Sequence, residues 1–273
     1  MSRDATPADV LSGAARWCVV EGDALALLAS LPDGCVDAVV TDPPYGVGWR
    51  SKSWDADIPP QRALDECLRA SRGCVLWFGG ASRLLDLLRY QPSPDRVIAW
   101  APPFTMSSAA TGGLLHHWDP IVVWRLRVQR WSRVFADVVR HARARASDAW
   151  WDHGCTKPIA LMRDLVATFS PQESVVLDPF AGSGTTGVAA LAEGRRVILC
   201  ERDHDYAEIA RRRCEAAERG TDWRAPASQL GLFDADLADA IRARGAGGAR
   251  CTCGARGRRG HALACGLVMG VAA

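Results

Sequence analysis

Val36-Asp37-Ala38-Val39-Val40-Thr41-Asp42-Pro43-Pro44-Tyr45 decides how this chain folds. Its first six residues form a short apolar-rich run of the kind that makes a strand buried in a parallel sheet. The two prolines that follow cannot continue a strand ladder and hold their neighbours out of a helix. The tetrapeptide Asp42-Pro43-Pro44-Tyr45 therefore sits on a stiff loop at a strand's carboxyl end, where open α/β sheets hold their ligands. It presents a carboxylate, the Pro43 carbonyl and an aromatic plate together. That set suits an amine on a flat ring, with two acceptors for the N–H groups and a face for stacking. The same residues also satisfy an ordinary strand-end turn.

A second motif lies far downstream. Ser174-Val175-Val176-Leu177 reads as another strand, and Val188-Ala189-Ala190-Leu191-Ala192 reads as a helix. Between them runs Asp178-Pro179-Phe180-Ala181-Gly182-Ser183-Gly184-Thr185-Thr186-Gly187. Glycines let a backbone approach a ligand closely, and a helix N-terminus offers N–H groups. Gly182, Gly184 and Gly187 match the spacing of a dinucleotide fingerprint. Glu201 ends the following strand, where an acid meets a ribose. No Lys-Ser/Thr follows the glycines, so a P-loop is excluded. A nicotinamide dehydrogenase is the rival reading of this stretch.

Two shorter segments complete the picture. Trp150-Trp151-Asp152-His153-Gly154-Cys155-Thr156-Lys157-Pro158 precedes a helix, and Lys157 is one of only two lysines in a chain otherwise reliant on arginine. Its plain reading is Pro158 at the first helical position with Thr156 as cap. Glu21-Gly22-Asp23 ends the first strand, and Asp23 can cap the next helix or meet a ligand there.

These motifs resemble those of the DNA amino-methyltransferases, which methylate the exocyclic nitrogen of adenine or cytosine. The tetrapeptide is similar to their D-P-P-Y motif. Asp178-Pro179-Phe180 with its glycines resembles their S-adenosylmethionine loop rather than a dehydrogenase turn. The His153 to Pro158 segment resembles the part that closes over the methionine end of the donor. The order, target-base motif first and donor loop last, resembles the permuted beta class, and the resemblance spans roughly residues 15 to 218. It implies a doubly wound, mostly parallel, Rossmann-like methyltransferase fold with a small target-recognition insertion. It further implies Asp42, Pro43, Pro44 and Tyr45 at the target amine. For the donor it implies Asp23, Lys157, Pro158, Asp178, Pro179, Phe180, Ala181, Gly182, Gly184, Thr185 and Glu201. One departure is Asp119 after His117-Trp118, where the family carries Pro or Glu after the histidine. Asp at the head of the tetrapeptide leans towards adenine N6. Cytosine presents the same N–C=N edge, so N4 methylation is the first alternative, and a donor- and DNA-binding regulator without turnover is the second.

Bulk properties bound the rest. At 273 residues the chain suits one sizeable core plus a tail. No run of 18 apolar residues occurs and no signal-peptide core is found at the N-terminus, so a cytoplasmic protein of a bacterial or phage-infected cell is expected. Ten scattered cysteines suit a reducing compartment. Net charge is only +2, yet seven arginines and one acid lie between Arg125 and Arg145. Arg125, Arg127, Arg130 and Arg133, with His117, are the expected contacts to double-stranded DNA. The target-recognition region is expected within residues 102–150. Its shortness implies a short site, or one completed by a second subunit as a homodimer.

Strands are expected at 17–20, 36–41, 74–78, 95–100, 120–125, 174–178 and 196–201. Helices are expected at 23–30, 60–71, 82–90, 158–169, 184–194 and 203–217. A methyltransferase domain over 1–218 would precede an Arg/Gly/Ala-rich, largely disordered tail over 219–273. In that tail Gln229-Leu230-Gly231-Leu232-Phe233 resembles the peptide that docks on the bacterial sliding clamp, and it also fits the start of an amphipathic helix. Cys251-x-Cys253, His261 and Cys265 lack the usual knuckle spacing, so no metal is expected.

Overall fold

A helix absent from the periodicity reading, α1 (Pro7–Ser12), opens the chain in the computed structural model, which describes residues 5–47, 58–103, 117–126, 136–143 and 156–221. Its first turn explains it: the Thr6 N–H donates to Asp9 and the Asp9 N–H donates to Thr6 Oγ1, a capping box with Pro7 at the first position. Then follow β1 (Trp17–Glu21), α2 (Ala24–Ser30), β2 (Ala38–Thr41), α3 (Gln61–Ala70), β3 (Val75–Phe78), α4 (Leu84–Leu87), β4 (Arg96–Trp100), β5 (Asp119–Trp124) and β6 (Val138–Val139). The chain closes with α5 (Ile159–Phe169), β7 (Val175–Asp178), α6 (Thr185–Ala192), β8 (Arg196–Glu201) and α7 (His204–Glu218).

All eight strands form one sheet in the order β1-β8-β7-β2-β3-β5-β4-β6. β5 runs antiparallel to both its neighbours, and every other pairing is parallel. Every residue of β2, β3 and β7 is buried, which is why these strands read as continuous apolar runs rather than alternating ones. One apolar layer joins the sheet to α5, α6 and α7 through residues such as Leu161, Leu165, Val188's neighbours Ala189 and Ala190, and Ala210. The opposite layer joins it to α1, α2 and α3 through Val10, Leu28, Leu64 and Leu68. The crossover from β2 to β3 thus runs on one face and that from β7 to β8 on the other, in opposite directions along the sheet. The boundary between β7 and β2 is a topological switch point, where the carboxyl ends of strands leave a crevice.

Several boundaries shift for local reasons. β2 begins at Ala38 because Asp37 turns aside, accepting the Val175 N–H at 2.9 Å and pairing with Arg72 at 2.6 Å. The helix expected over 82–90 shrinks to α4, after a short 3₁₀ turn and before the Pro92 and Pro94 stretch that cannot continue it. Pro158 is the cap of α5 with ψ 129°, not its first residue, so the cap position is not Thr156. β6 has two residues, too few for any periodicity to betray.

Candidate active site at the switch point

Asp178, at the end of β7, is the cornerstone. Its Oδ1 accepts the Thr41 hydroxyl at 2.7 Å and the Phe180 N–H at 3.1 Å, and its Oδ2 accepts the Thr186 hydroxyl at 2.5 Å. It thereby ties β2, the glycine loop and α6 together. It is 2 % exposed, and burial pushes its carboxyl up to about 6 while its three donors pull the other way. The expectation of a donor-contacting Asp178 is corrected: both oxygens face the protein. Pro179 is buried behind it, and the half-buried Phe180 meets Trp77 edge-on at 6.0 Å.

The loop's N–H groups are largely taken. Ala181 N–H donates to the Cys200 carbonyl at 2.9 Å, Gly182 N–H to Glu201 Oε2 at 2.8 Å, and Gly184 N–H to the Ala181 carbonyl at 2.8 Å. Gly184 also serves packing. At φ 78°, a Cβ there would stand 2.8 Å from Ala210 on α7. At Gly187 it would stand 2.6 Å from the Cys214 sulfur and 2.7 Å from Leu199. Thr185 is likewise turned inward: its hydroxyl accepts from Arg213 at 3.1 Å, and the same guanidinium donates to the Ser183 carbonyl and hydroxyl at 2.7 and 2.9 Å. Arg213 is 2 % exposed, and burial lowers its pKa to about 10. Gly187→Ala is therefore expected to cost about 1–3 kcal/mol by overpacking, read as a lower urea midpoint with an unchanged slope.

The crevice rim carries the acids. Glu201 ends β8 and accepts the Gly182 and Asp203 N–H groups, one on each oxygen, while burial raises its carboxyl. Each oxygen retains a further lone pair for a hydroxyl. Asp23 is exposed and accepts the Ala26 N–H at 3.0 Å, so it caps α2 while facing the same end of the sheet. Beside it Glu21 pairs with His204 at 3.1 Å and with Arg211 at 3.5 Å.

The Asp42 loop stands next to this, across the β2–β7 boundary. Tyr45 donates its hydroxyl to Asp42 Oδ1 at 2.7 Å, and the Lys157 ammonium meets Asp42 Oδ2 at 2.5 Å. The ammonium also lies 5.2 Å from the ring centres of both Tyr45 and Phe78, a cation–π box. Gly80 backs the tyrosine, since a Cβ there would come within 3.3 Å of the ring. Pro43 is buried and Pro44 partly so. Lys157, expected on the donor side, is thus brought onto the target-side carboxylate.

On the far side of β3 the expected DNA contacts divide. His117 is exposed at the carboxyl end of the sheet, just ahead of β5. Arg125 is corrected. β5 runs backwards, so Arg125 emerges at the opposite end, where it donates to the Leu68 and Ser71 carbonyls at 2.6 and 2.7 Å at the end of α3. Arg127, Arg130 and Arg133 lie outside the described residues, as do His153, the 229–233 peptide and the tail cysteines. Asp119 is buried and pairs with Arg143 at 2.9 Å, whose guanidinium lies 4.9 Å from the Trp100 ring centre. Among the described residues, no three potential metal ligands come together, and no helix is long and apolar enough to cross a membrane.

Residues to which sequence reasoning gave no role of their own are Thr41, Phe78, Gly80, Thr186 and Arg213. Only two left a usable signal. Thr41 is a polar residue closing an apolar strand, and Arg213 interrupts the apolar stripe Ile209, Ala210 and Cys214 of α7.

With this geometry the likenesses to known proteins agree. A DNA methylase family model, N6_N4_Mtase, matches residues 118–212. YubD of Escherichia coli K12, whose name marks it as an inferred methylase, is 29% identical over 73% of this chain and 91% of its own length. The DNA adenine methyltransferase YhdJ of the same organism is 25% identical over 73% of this chain and 83% of its own. The solved PvuII cytosine-N4 DNA methyltransferase superposes with a TM-score of 0.58 over 86% of this chain and 94% of that one, at 16% identity, a likeness of fold. Residues 118–212 thus match the N6/N4 DNA methylase family, and the chain is similar over most of its length to DNA methylases, on a Rossmann-like methyltransferase fold.

Proposed function

We propose that the chain transfers a methyl group from S-adenosylmethionine to the N6 amine of adenine in duplex DNA. The observation that carries this reading is the placement of Asp42 and the Asp178 glycine loop at neighbouring strand ends, on either side of the switch point. The donor set suits such a molecule. Glu201 and Asp23 offer acceptors for its hydroxyls and adenine amine, and Lys157 is a cation for its carboxylate. When bound, the donor supplies an electrophilic methyl on a positively charged sulfur.

The chain's own residues do the rest. The target base leaves the duplex, at a cost of a few kcal/mol, to reach the crevice. Tyr45, held from behind by Gly80, provides the face on which it stacks. Asp42 and the Pro43 carbonyl accept the two amine hydrogens, which turns the nitrogen lone pair out of ring conjugation and towards the methyl carbon. Transfer of the methyl to that nitrogen would be balanced by the donor's sulfur leaving with the S–CH3 bonding pair. The surplus amine proton leaves by way of Asp42. The acceleration comes from positioning and preorganised charge.

The base is tested by expressing the chain in a host without endogenous adenine methylation and digesting its DNA to nucleosides. N6-methyladenine is expected; N4-methylcytosine alone would keep the mechanism and overturn the base. For the DNA face, Arg143 replaces Arg125 as the cation to test. Arg143→Gln is expected to reduce the salt slope of binding to mixed-sequence duplex by about 0.9, one phosphate contact. Arg125→Gln should leave that slope unchanged and lower the melting temperature.

A further inference from the structure

We propose that Lys157 is an exchangeable counter-ion that keeps Asp42 masked until the donor's carboxylate draws it away. This rests on the reading of the crevice as a methyl-donor and amine site, and it makes Lys157 a positioning residue for Asp42.

Each oxygen of Asp42 holds one donor, the Tyr45 hydroxyl at 2.7 Å and the Lys157 ammonium at 2.5 Å, and the ammonium's charge offsets that of the carboxylate. The target amine needs an oxygen of that same carboxylate. The ammonium sits between two aromatic faces with its side chain 10% exposed, so it is enclosed rather than trailing in solvent. Several other described cations at this end of the sheet are committed elsewhere: Arg213 behind the glycine loop, Arg211 on Glu21 and Glu208, Arg143 on Asp119. A donor spanning from Glu201 towards Asp42 brings its amino-acid carboxylate to Lys157, the cation that among the described residues touches Asp42. Lysine suits this exchange. It is a compact charge on a flexible stem, whereas arginine would grip a carboxylate through two fixed bonds. In a chain with only two lysines, one stands here.

The test is a cycle of Asp42→Asn and Lys157→Met, with binding measured by calorimetry on the full chain. The probes are S-adenosylhomocysteine, which carries the carboxylate without the sulfonium, and 5′-methylthioadenosine, which lacks the carboxylate. Asp42→Asn is expected to tighten S-adenosylhomocysteine about tenfold, within the usual range of site–site coupling. Lys157→Met should weaken it, and adding Asp42→Asn to Lys157→Met should then change nothing. All four proteins should bind 5′-methylthioadenosine alike, which shows that each is folded. Tightening by Asp42→Asn in both backgrounds would reveal simple repulsion between carboxylates and overturn the exchange, as would no tightening in either. Failure of the parent protein to bind either probe would instead sink the donor site itself, and the exchange with it.

Discussion

Asp42→Ala is expected to reduce methyl transfer by about a thousandfold in kcat while S-adenosylhomocysteine still binds. The magnitude is that of removing a preorganised polar group aimed at charge developing in the transition state. The separation of effects follows from the architecture. Asp42 belongs to the loop after β2, whereas the glycine loop and Glu201 are held by β7, β8 and α7. Deleting the Asp42 carboxylate leaves Tyr45 and Lys157 without their shared partner but breaks none of the bonds around Asp178. Kinetics and calorimetry on one preparation check it. Parallel loss of turnover and of donor binding would show that Asp42 is structural.

Asp178→Ala acts the other way, on the fold first. It strands the buried Thr41 and Thr186 hydroxyls and the part-buried Phe180 N–H without their acceptor. Each orphaned buried donor costs on the order of 1 kcal/mol, so about 3 kcal/mol is expected, near 10 °C in melting temperature for a fold of this size. Asp178→Asn keeps an acceptor oxygen and should cost less. It also isolates a pH effect. Burial raises this carboxyl from 3.8 to about 6, so between those values the native state holds a proton that the unfolded chain has released. The group's contribution is therefore greatest below pH 4 and falls as pH rises to about 6. Urea unfolding should show the wild type losing ground to Asp178→Asn across that interval and a constant gap above it. A gap independent of pH would mean that Asp178 is ionised throughout.

Strands β2, β3, β7 and β8 were legible because a strand buried on both faces must be apolar along its whole length. The placement of the Asp42 loop at a strand end was legible because Asp42-Pro43-Pro44-Tyr45 is stiff and local. What escaped depends on contacts distant in sequence. Nothing near Gly184 and Gly187 reveals that α7 presses against them, so their packing requirement could not be read from the motif. Arg125 looked like a DNA contact because charge patterning does not say at which end of the sheet a reversed strand delivers it. The Lys157–Asp42 contact joins residues 115 positions apart, and only the adjacency of β2 to the β7 side of the sheet makes it. The short helix α1 was missed although its Thr6-Pro7-x-Asp9 start is a recognisable capping signal.

The most direct measurement is the transfer of a labelled methyl group from S-adenosylmethionine to mixed-sequence duplex DNA by the purified chain, followed by nucleoside separation, run beside Asp42→Asn at saturating donor. Label in N6-methyladenine from the parent protein and none from Asp42→Asn is the predicted result. No label from a parent protein that demonstrably binds the donor, or equal label from both proteins, would contradict it.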